Sequence, residues 1–97
     1  MSVISIPQKH IFSFSDTRLN VFHANTGEGI PRHQHDYNHL TYCVNGSCAI
    51  RKEGKEVVIT KDSQPINLVG KEWHEIEALE NGTVFINIFK RPETDDY

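Results

Sequence analysis

Histidine is unusually dense in one short segment of this 97-residue chain. Residues 32–39 hold three of the six histidines, and a fourth follows the single tryptophan; the four are His33, His35, His39 and His74. Side chains at positions i and i+2 of an extended strand point to the same side, so His33 and His35 should share a face. Three neutral imidazoles from one segment and a fourth from a later strand make a site suited to a divalent transition metal. The alternative is a set of ordinary surface histidines.

The composition is that of one globular domain, spanning 1–97. Hydrophobic residues make up 37% and charged residues 24% of the chain, which suits a domain with one modest core. The net charge is −3 and no block of Lys or Arg occurs, so nucleic acid is not an expected partner.

The apolar runs are too short to cross a membrane and the N-terminus lacks a signal-peptide pattern, so we expect a cytoplasmic location. We expect the acidic tail, 92–97, to be loose.

Short alternating segments separated by Gly, Asn and Asp turns predict an all-β sandwich or barrel. No long stretch shows the 3.6-residue period of a helix. The predicted strands are 11–14, 18–23, 40–44, 48–52, 56–60, 66–69, 73–79 and 83–89.

Two cysteines flank a strong turn signal. Asn45 and Gly46 both tolerate the positive φ of a type I′ turn, which predicts a hairpin with Cys43 directly opposite Cys48. Strand parity points Thr41 and Cys43 inward. In a reducing compartment two packed thiols are expected in preference to a disulfide.

The spacing of the first histidines resembles the first conserved motif of the cupin superfamily. Gly27 is followed by five residues, His33-x-His35, three residues, His39, six residues and Gly46. This segment departs from the motif at one fixed position, because most cupins have glutamate where this chain has His39.

The second cupin motif is matched less completely. His74 fits its histidine position, at a suitable distance downstream and after an aromatic residue. Val69, Lys71 and Ala78 stand where the motif usually has proline, glycine and asparagine, and Gly70 lies one place early.

The resemblance covers roughly residues 20–89 and implies a small antiparallel β-barrel of jelly-roll type. It also implies one divalent transition metal (Fe, Mn, Ni, Cu or Zn) held by His33, His35, His39 and His74, as some small single-domain cupins resemble this chain in having all-histidine sites. A neutral imidazole at His39 in place of a carboxylate leaves the charge of the ion uncompensated. This should favour a small anionic substrate.

Three functions are compatible with such a site. The first is a metal-dependent oxidoreductase of dioxygenase type that acts on a small molecule, and it is the one we expect. The second is a non-redox isomerase, cyclase or lyase, in which the metal polarises a carbonyl or activates water. The third is a binding protein without chemistry. His23, as a proton carrier, and Tyr37, at the expected barrel mouth, are the candidate catalytic residues.

The resemblance further implies a homodimer, because cupins commonly dimerise through their N-terminal strands. The apolar stretches within 3–14 would be exposed strand edges on a lone small barrel.

Overall fold

The computed structural model describes residues 3–90, which form ten β-strands and contain no helix. The strands are β1 (Ile4–Ser5), β2 (His10–Phe14), β3 (Thr17–Ala24), β4 (Glu28–His33), β5 (His39–Asn45), β6 (Ser47–Lys52), β7 (Lys55–Thr60), β8 (Ile66–Leu68), β9 (His74–Ala78) and β10 (Thr83–Lys90). Within this part of the chain there is accordingly no helix that could span a membrane. The acidic tail, 92–97, lies outside the described residues.

The strands form two five-stranded sheets. One sheet has the order β1-β4-β9-β6-β7 and the other β2-β3-β10-β5-β8. Neighbouring strands run antiparallel, except that the short strand β1 pairs in parallel with β4. The all-β prediction is confirmed. An antiparallel β-barrel of jelly-roll type was expected. Over residues 3–90, however, no strand pairing joins the two sheets, so the sheets form a sandwich of jelly-roll type and are not closed into a barrel.

The hydrophobic core lies between the inner faces of the two sheets. Phe22 and Phe85 stack with ring centroids 4.9 Å apart on one sheet, and Ile50 and Ile76 lie fully buried on the other. Burying side chains of this size contributes about 1.5–3 kcal/mol each. This core leaves one end of the sandwich for polar residues.

The segment at Asn45 and Gly46 is a corner between the two sheets, so the predicted hairpin is wrong. Strand β5 pairs with β10 and β8, whereas β6 pairs with β7 and β9. A type I′ turn needs positive φ at both central residues. Gly46 has a φ of 77°, but among residues 3–90 the non-glycine residues with positive φ are Ser15 and Lys71. A Cβ on Gly46 would lie 3.0 Å from the Cα of Thr83, so this corner requires glycine.

Cys43 and Cys48 face the interior as unpaired thiols, as predicted. Both are fully buried, and the Cys43 thiol is within hydrogen-bond distance of the carbonyl oxygen of Asn45, at 3.3 Å. They meet across the sandwich, since Cys43 lies opposite Phe85 in one sheet and Cys48 opposite Ala78 in the other.

Candidate metal centre

The four histidines meet at one end of the sandwich, on segments from both sheets. His33 ends β4 and His74 begins β9, and the two residues are opposite each other in the strand register. His39 begins β5 in the other sheet. His35 lies in the loop between β4 and β5, because β4 already ends at His33. The idea that His33 and His35 share the face of a single strand therefore does not hold, although their rings still converge.

The rings are closely packed. The centroid of the His74 ring lies 4.5 Å from that of His33, 4.8 Å from that of His35 and 5.4 Å from that of His39. The His35 and His39 centroids are 4.9 Å apart. The potential ligand atoms of His33, His35 and His74 lie within 4.8 Å of one another. Three histidines thus form the tightest group, and the ring of His39 lies beside it.

Backbone carbonyl groups fix the tautomer of three of these imidazoles. A carbonyl oxygen can only accept, so an Nδ1 at hydrogen-bond distance from one must carry the proton, which leaves the lone pair on Nε2. Histidine ligands of metals usually donate their other ring N–H in this way. The pairs are His33 Nδ1 with Pro31 O at 2.8 Å, His35 Nδ1 with Tyr37 O at 2.8 Å, and His74 Nδ1 with Glu72 O at 3.0 Å.

A buried side-chain relay fixes the fourth imidazole. The hydroxyl of Thr41 donates to Asn87 Oδ1 at 2.8 Å, and its oxygen lies 3.2 Å from Nδ1 of His39. Because the single hydroxyl proton is directed at Asn87, Thr41 must accept from the Nδ1–H of His39. His39 therefore also presents Nε2 as a free lone pair.

The residues present fit a divalent transition metal. His74 is 1% exposed, and its Nε2 is buried without a hydrogen-bond partner among the described residues. A buried acceptor without a partner costs about 1–3 kcal/mol, which a coordinated ion would offset. Four imidazoles with Nε2 free suit Fe, Ni, Cu or Zn, and a protein-fixed site of this kind also admits Mn.

Burial favours the neutral form of three of these imidazoles, His35, His39 and His74. Desolvation, reinforced by repulsion from His35 and His74, lowers the pKa of His39 to about 3. Desolvation and repulsion from His33 lower the pKa of His74 to about 4, and the same two causes lower the pKa of His35. Metal ligation requires neutral imidazole, so these three lowered pKa values favour metal binding at neutral pH.

The loop that carries His35 and the loop that leads into β9 are held together by hydrogen bonds. The N–H of Lys71 donates to the carbonyl of His35 at 2.5 Å, and the N–H of Gly70 donates to Asn38 Oδ1 at 2.7 Å. A Cβ on Gly70 would lie 2.9 Å from the carbonyl carbon of Asp36, so glycine is needed for this close approach. The loop before β9 thus positions His35 as well as His74.

Lys71, at the position where the second cupin motif usually has glycine, has a left-handed backbone conformation. Its φ is 69°, in the left-handed region that glycine occupies without strain. Glycine would therefore fit the backbone at this position without strain, whereas the lysine present here is strained.

A cavity of about 500 Å³ opens beside the histidines. It is bounded by three of the histidines, by amide side chains and by aromatic rings, and no Asp, Glu, Lys or Arg occurs among its described lining residues. The lining includes His33, His35, His39, Gln8, Asn20, Asn87, Phe22, Phe89 and Tyr37. Volume and lining are typical of a small-molecule site.

The two predicted catalytic residues have different surroundings. Tyr37 lines the cavity and stacks on the ring of His35, with centroids 4.4 Å apart and planes 12° from parallel. His23 is exposed and packs near His10, with ring centroids 6.2 Å apart. Because Asn20 and Phe22 point inward, strand parity turns His23 to the outer face of β3, away from the cavity.

Asn20 and Asn87 are cavity residues that the sequence reasoning missed. Both are buried and lie opposite each other on β3 and β10. A signal was available, because each is a polar residue between apolar neighbours, in 19–21 and 86–88, inside a strand. An amide at an inward strand position is typical of a functional cavity or a buried hydrogen-bond network.

Comparison with known proteins supports the fold assignment. No protein-family model matches this sequence, and no curated protein matches it. Solved structures, in contrast, do match this chain in fold. KdgF from Halomonas sp. matches with a TM-score of 0.77 at 20% identity, over 88% of this chain and 78% of that chain. A cupin-2 domain protein from Shewanella frigidimarina matches with a TM-score of 0.69 at 13% identity, over 89% and 84% of the two chains.

A third structure, a cupin superfamily protein from Desulfitobacterium hafniense, has a TM-score of 0.65 at 12% identity and covers 92% of this chain and 84% of its own. The chain has the cupin fold. Within this fold the close histidines lie where the sequence motifs predicted a metal site, and all four predicted ligand residues have converging rings.

Proposed function

We propose that this cupin is a metal-dependent oxidoreductase of dioxygenase type, which acts on a small anionic molecule in the cavity beside the histidines. The supporting observation is the convergence of four imidazoles, each with its Nδ1–H directed at an acceptor. We assign His33, His35, His39 and His74 as ligands of one divalent ion. Fe, Mn, Ni or Cu bound there would supply Lewis acidity together with one-electron chemistry.

The lining of the cavity favours redox chemistry over acid–base chemistry. Its described residues include no carboxylate, ammonium or guanidinium group that could act as a dedicated general base or acid. With four neutral ligands, the ion would keep its full charge and attract an anionic substrate group. The apolar and amide walls would orient the rest of the molecule.

Tyr37 favours a second candidate function, a non-redox isomerase, cyclase or lyase. Its ring lies on His35 at the edge of the cavity, and its phenol is a proton-carrying group outside the set of proposed ligands. In such a reaction the ion could be Zn, and Tyr37 would move the proton.

Metal identity and oxygen uptake distinguish the two candidates. The protein is purified without added metal, its metals are measured by mass spectrometry, and oxygen consumption is followed with small 2-hydroxy acids, 2-oxo acids and 1,3-dicarbonyl compounds. We expect a redox metal, and oxygen uptake that is retained in Tyr37→Phe and lost in His35→Ala. Zinc as the metal, with oxygen-independent turnover that Tyr37→Phe abolishes, would support the second candidate and contradict the first.

The charge argument for an anionic substrate has its own test. His39→Glu restores the usual cupin ligand and removes one unit of positive charge from the site, so it should keep the metal but bind azide more weakly. Azide is titrated against both forms after their metal contents are matched. Equal or tighter azide binding in the variant would contradict the charge argument.

We also propose a homodimer that forms through β2, in the reducing cytoplasm. Strand β2 is a sheet edge, and its apolar side chains Ile11, Phe12 and Phe14 are all exposed, Phe14 to 80%. Exposed apolar edges of this kind are typical of interfaces between chains. Light scattering should give a dimer for the wild type and a monomer for Phe14→Asp, and a wild-type monomer would contradict the proposal.

A further inference from the structure

A row of polar side chains crosses the inner face of one sheet, between the metal centre and the aromatic core. Asn20, Asn87 and Thr41 are neighbours across β3, β10 and β5, because Asn87 is the register partner of both other residues. The next inward row toward the core contains Phe85. On the other side, Thr41 contacts His39 through its hydroxyl.

The hydrogen bonds in this row leave one acceptor unused. Asn87 Oδ1 accepts from Thr41. Asn20 is 7% exposed, and its Oδ1 is buried and accepts no hydrogen bond from any residue that the structure describes. Asn20 also lines the cavity beside the histidines. Burying an acceptor without a donor costs free energy, and turning the Asn20 amide toward the cavity would bring this oxygen within reach of a donor on a bound molecule.

We propose that Asn20 is a specificity-determining residue whose Oδ1 accepts a hydrogen bond from a hydroxyl group of the molecule bound in the cavity. The ligand class is therefore a small hydroxylated acid, with its acid group toward the histidines and its hydroxyl group at Asn20. A hydroxyl is favoured over an ammonium donor because the described lining holds no carboxylate to balance a positive charge. This inference rests on the proposed function, which places the acid group at the metal.

Pairs of acids that differ only in one hydroxyl group test whether the cavity recognises that hydroxyl. The protein is loaded with Co²⁺, and its visible absorption is titrated with ω-hydroxy acids of three to six carbons and with the parent acids, propanoate to hexanoate. In the wild type, at least one hydroxy acid should bind roughly 5- to 10-fold more tightly than its parent, the gain expected from one hydrogen bond. In Asn20→Leu this preference should disappear. In the matched control Asn67→Leu, at an exposed position of β8, it should persist.

Thermal stability gives a second measurement that needs no ligand. If the Asn20 side chain forms its hydrogen bond only with a bound molecule, Asn20→Leu should leave the Tm of the ligand-free protein unchanged or raise it. A residue with a structural hydrogen bond would instead lower the Tm. If the leucine variant does not fold, Asn20→Ser repeats the titration, because its shorter side chain withdraws the acceptor from the cavity.

Different outcomes would overturn the proposed function and the role of Asn20. Absence of Co²⁺ binding, or of any spectral response to acids in the wild type, would overturn the proposed function and this inference with it. A response to acids without a hydroxyl preference, or a preference that survives removal of the Asn20 amide, would overturn the role of Asn20 while the metal site stands.

Discussion

His33 and His74 lie opposite each other on neighbouring strands, with ring centroids 4.5 Å apart. The pairing of β4 with β9 is irregular between Ile30 and His33, where Pro31 has no N–H to donate to the strand ladder. The carbonyl of Pro31 instead accepts from Nδ1 of His33. A local interruption of the sheet thus orients one predicted ligand, as irregular strands near functional sites often do.

The relay behind His39 leads to a prediction for Thr41. Replacing Thr41 by Val keeps the shape of the side chain but removes the hydroxyl that links Asn87 to Nδ1 of His39. Because such outer hydrogen bonds fix the tautomer and orientation of the ligand, metal affinity should fall about 10- to 100-fold. Competition with a chelator of known affinity measures this, with Thr41→Ser as the control that retains the hydroxyl. Wild-type affinity in Thr41→Val would show that the relay does not support ligation.

Sequence patterns predicted the local features of this molecule well. The spacing of the histidines identified all four converging rings, and strand parity placed Thr41 and Cys43 correctly in the interior. The alternation of side chains along β5 is enough to specify the inward positions of Thr41 and Cys43. The convergence of the histidines also depends on the pairing of β4 with β9, and the resemblance to the cupin motifs was needed to predict it.

Features that depend on distant pairing were not predictable in the same way. Asn45-Gly46 has the composition of a hairpin turn, but the pairing of β5 with β10 places a sheet-to-sheet corner there. The sequence did not show which face of β3 points to the core, because Leu19 and Val21 are apolar on one face and Phe22 is apolar on the other. Core packing between the sheets resolved this ambiguity and turned His23 outward.

The left-handed conformation at Lys71 predicts a stabilising substitution. A residue with a Cβ is strained at a φ of 69°, so Lys71→Gly should raise the free energy of unfolding by about 1 kcal/mol. Lys55→Gly, in a strand without such strain, should be neutral or destabilising. Urea unfolding of both variants measures the difference. A destabilised Lys71→Gly protein would mean that the lysine side chain contributes more than its backbone strain costs.

The stability of the metal-free protein should depend on pH through His39 and His74. Their pKa values are lowered from 6.5 to about 3 and about 4 in the folded chain, whereas the unfolded chain titrates near 6.5. The unfolded state therefore binds more protons between these limits. The free energy of unfolding should fall as pH decreases below about 6.5 and change little from this source above it. Urea unfolding of chelator-treated protein from pH 8 to pH 4 tests this, and the double variant His39→Gln/His74→Gln should flatten the curve. An equally steep curve in the double variant would assign the effect to other groups.

The buried thiols should react slowly in the folded protein. Burial raises the pKa of both Cys43 and Cys48, which reduces the thiolate fraction as well as access. With a colorimetric thiol reagent at pH 8, both should react slowly in native protein and rapidly after denaturation. Fast native labelling of either cysteine, identified by mass spectrometry, would contradict its position between the sheets.

Metal content per chain tests the central claim most directly. Wild-type protein, His35→Ala and His74→Ala are purified in parallel without added metal, together with His10→Ala and His23→Ala as controls from the exposed surface, and metals are measured by mass spectrometry. We expect about one divalent ion per chain in the wild type and both controls, and loss of most of it in the two site variants, because each removes one of the closely grouped imidazoles. Full metal retention in both His35→Ala and His74→Ala would contradict the assignment of these histidines as ligands.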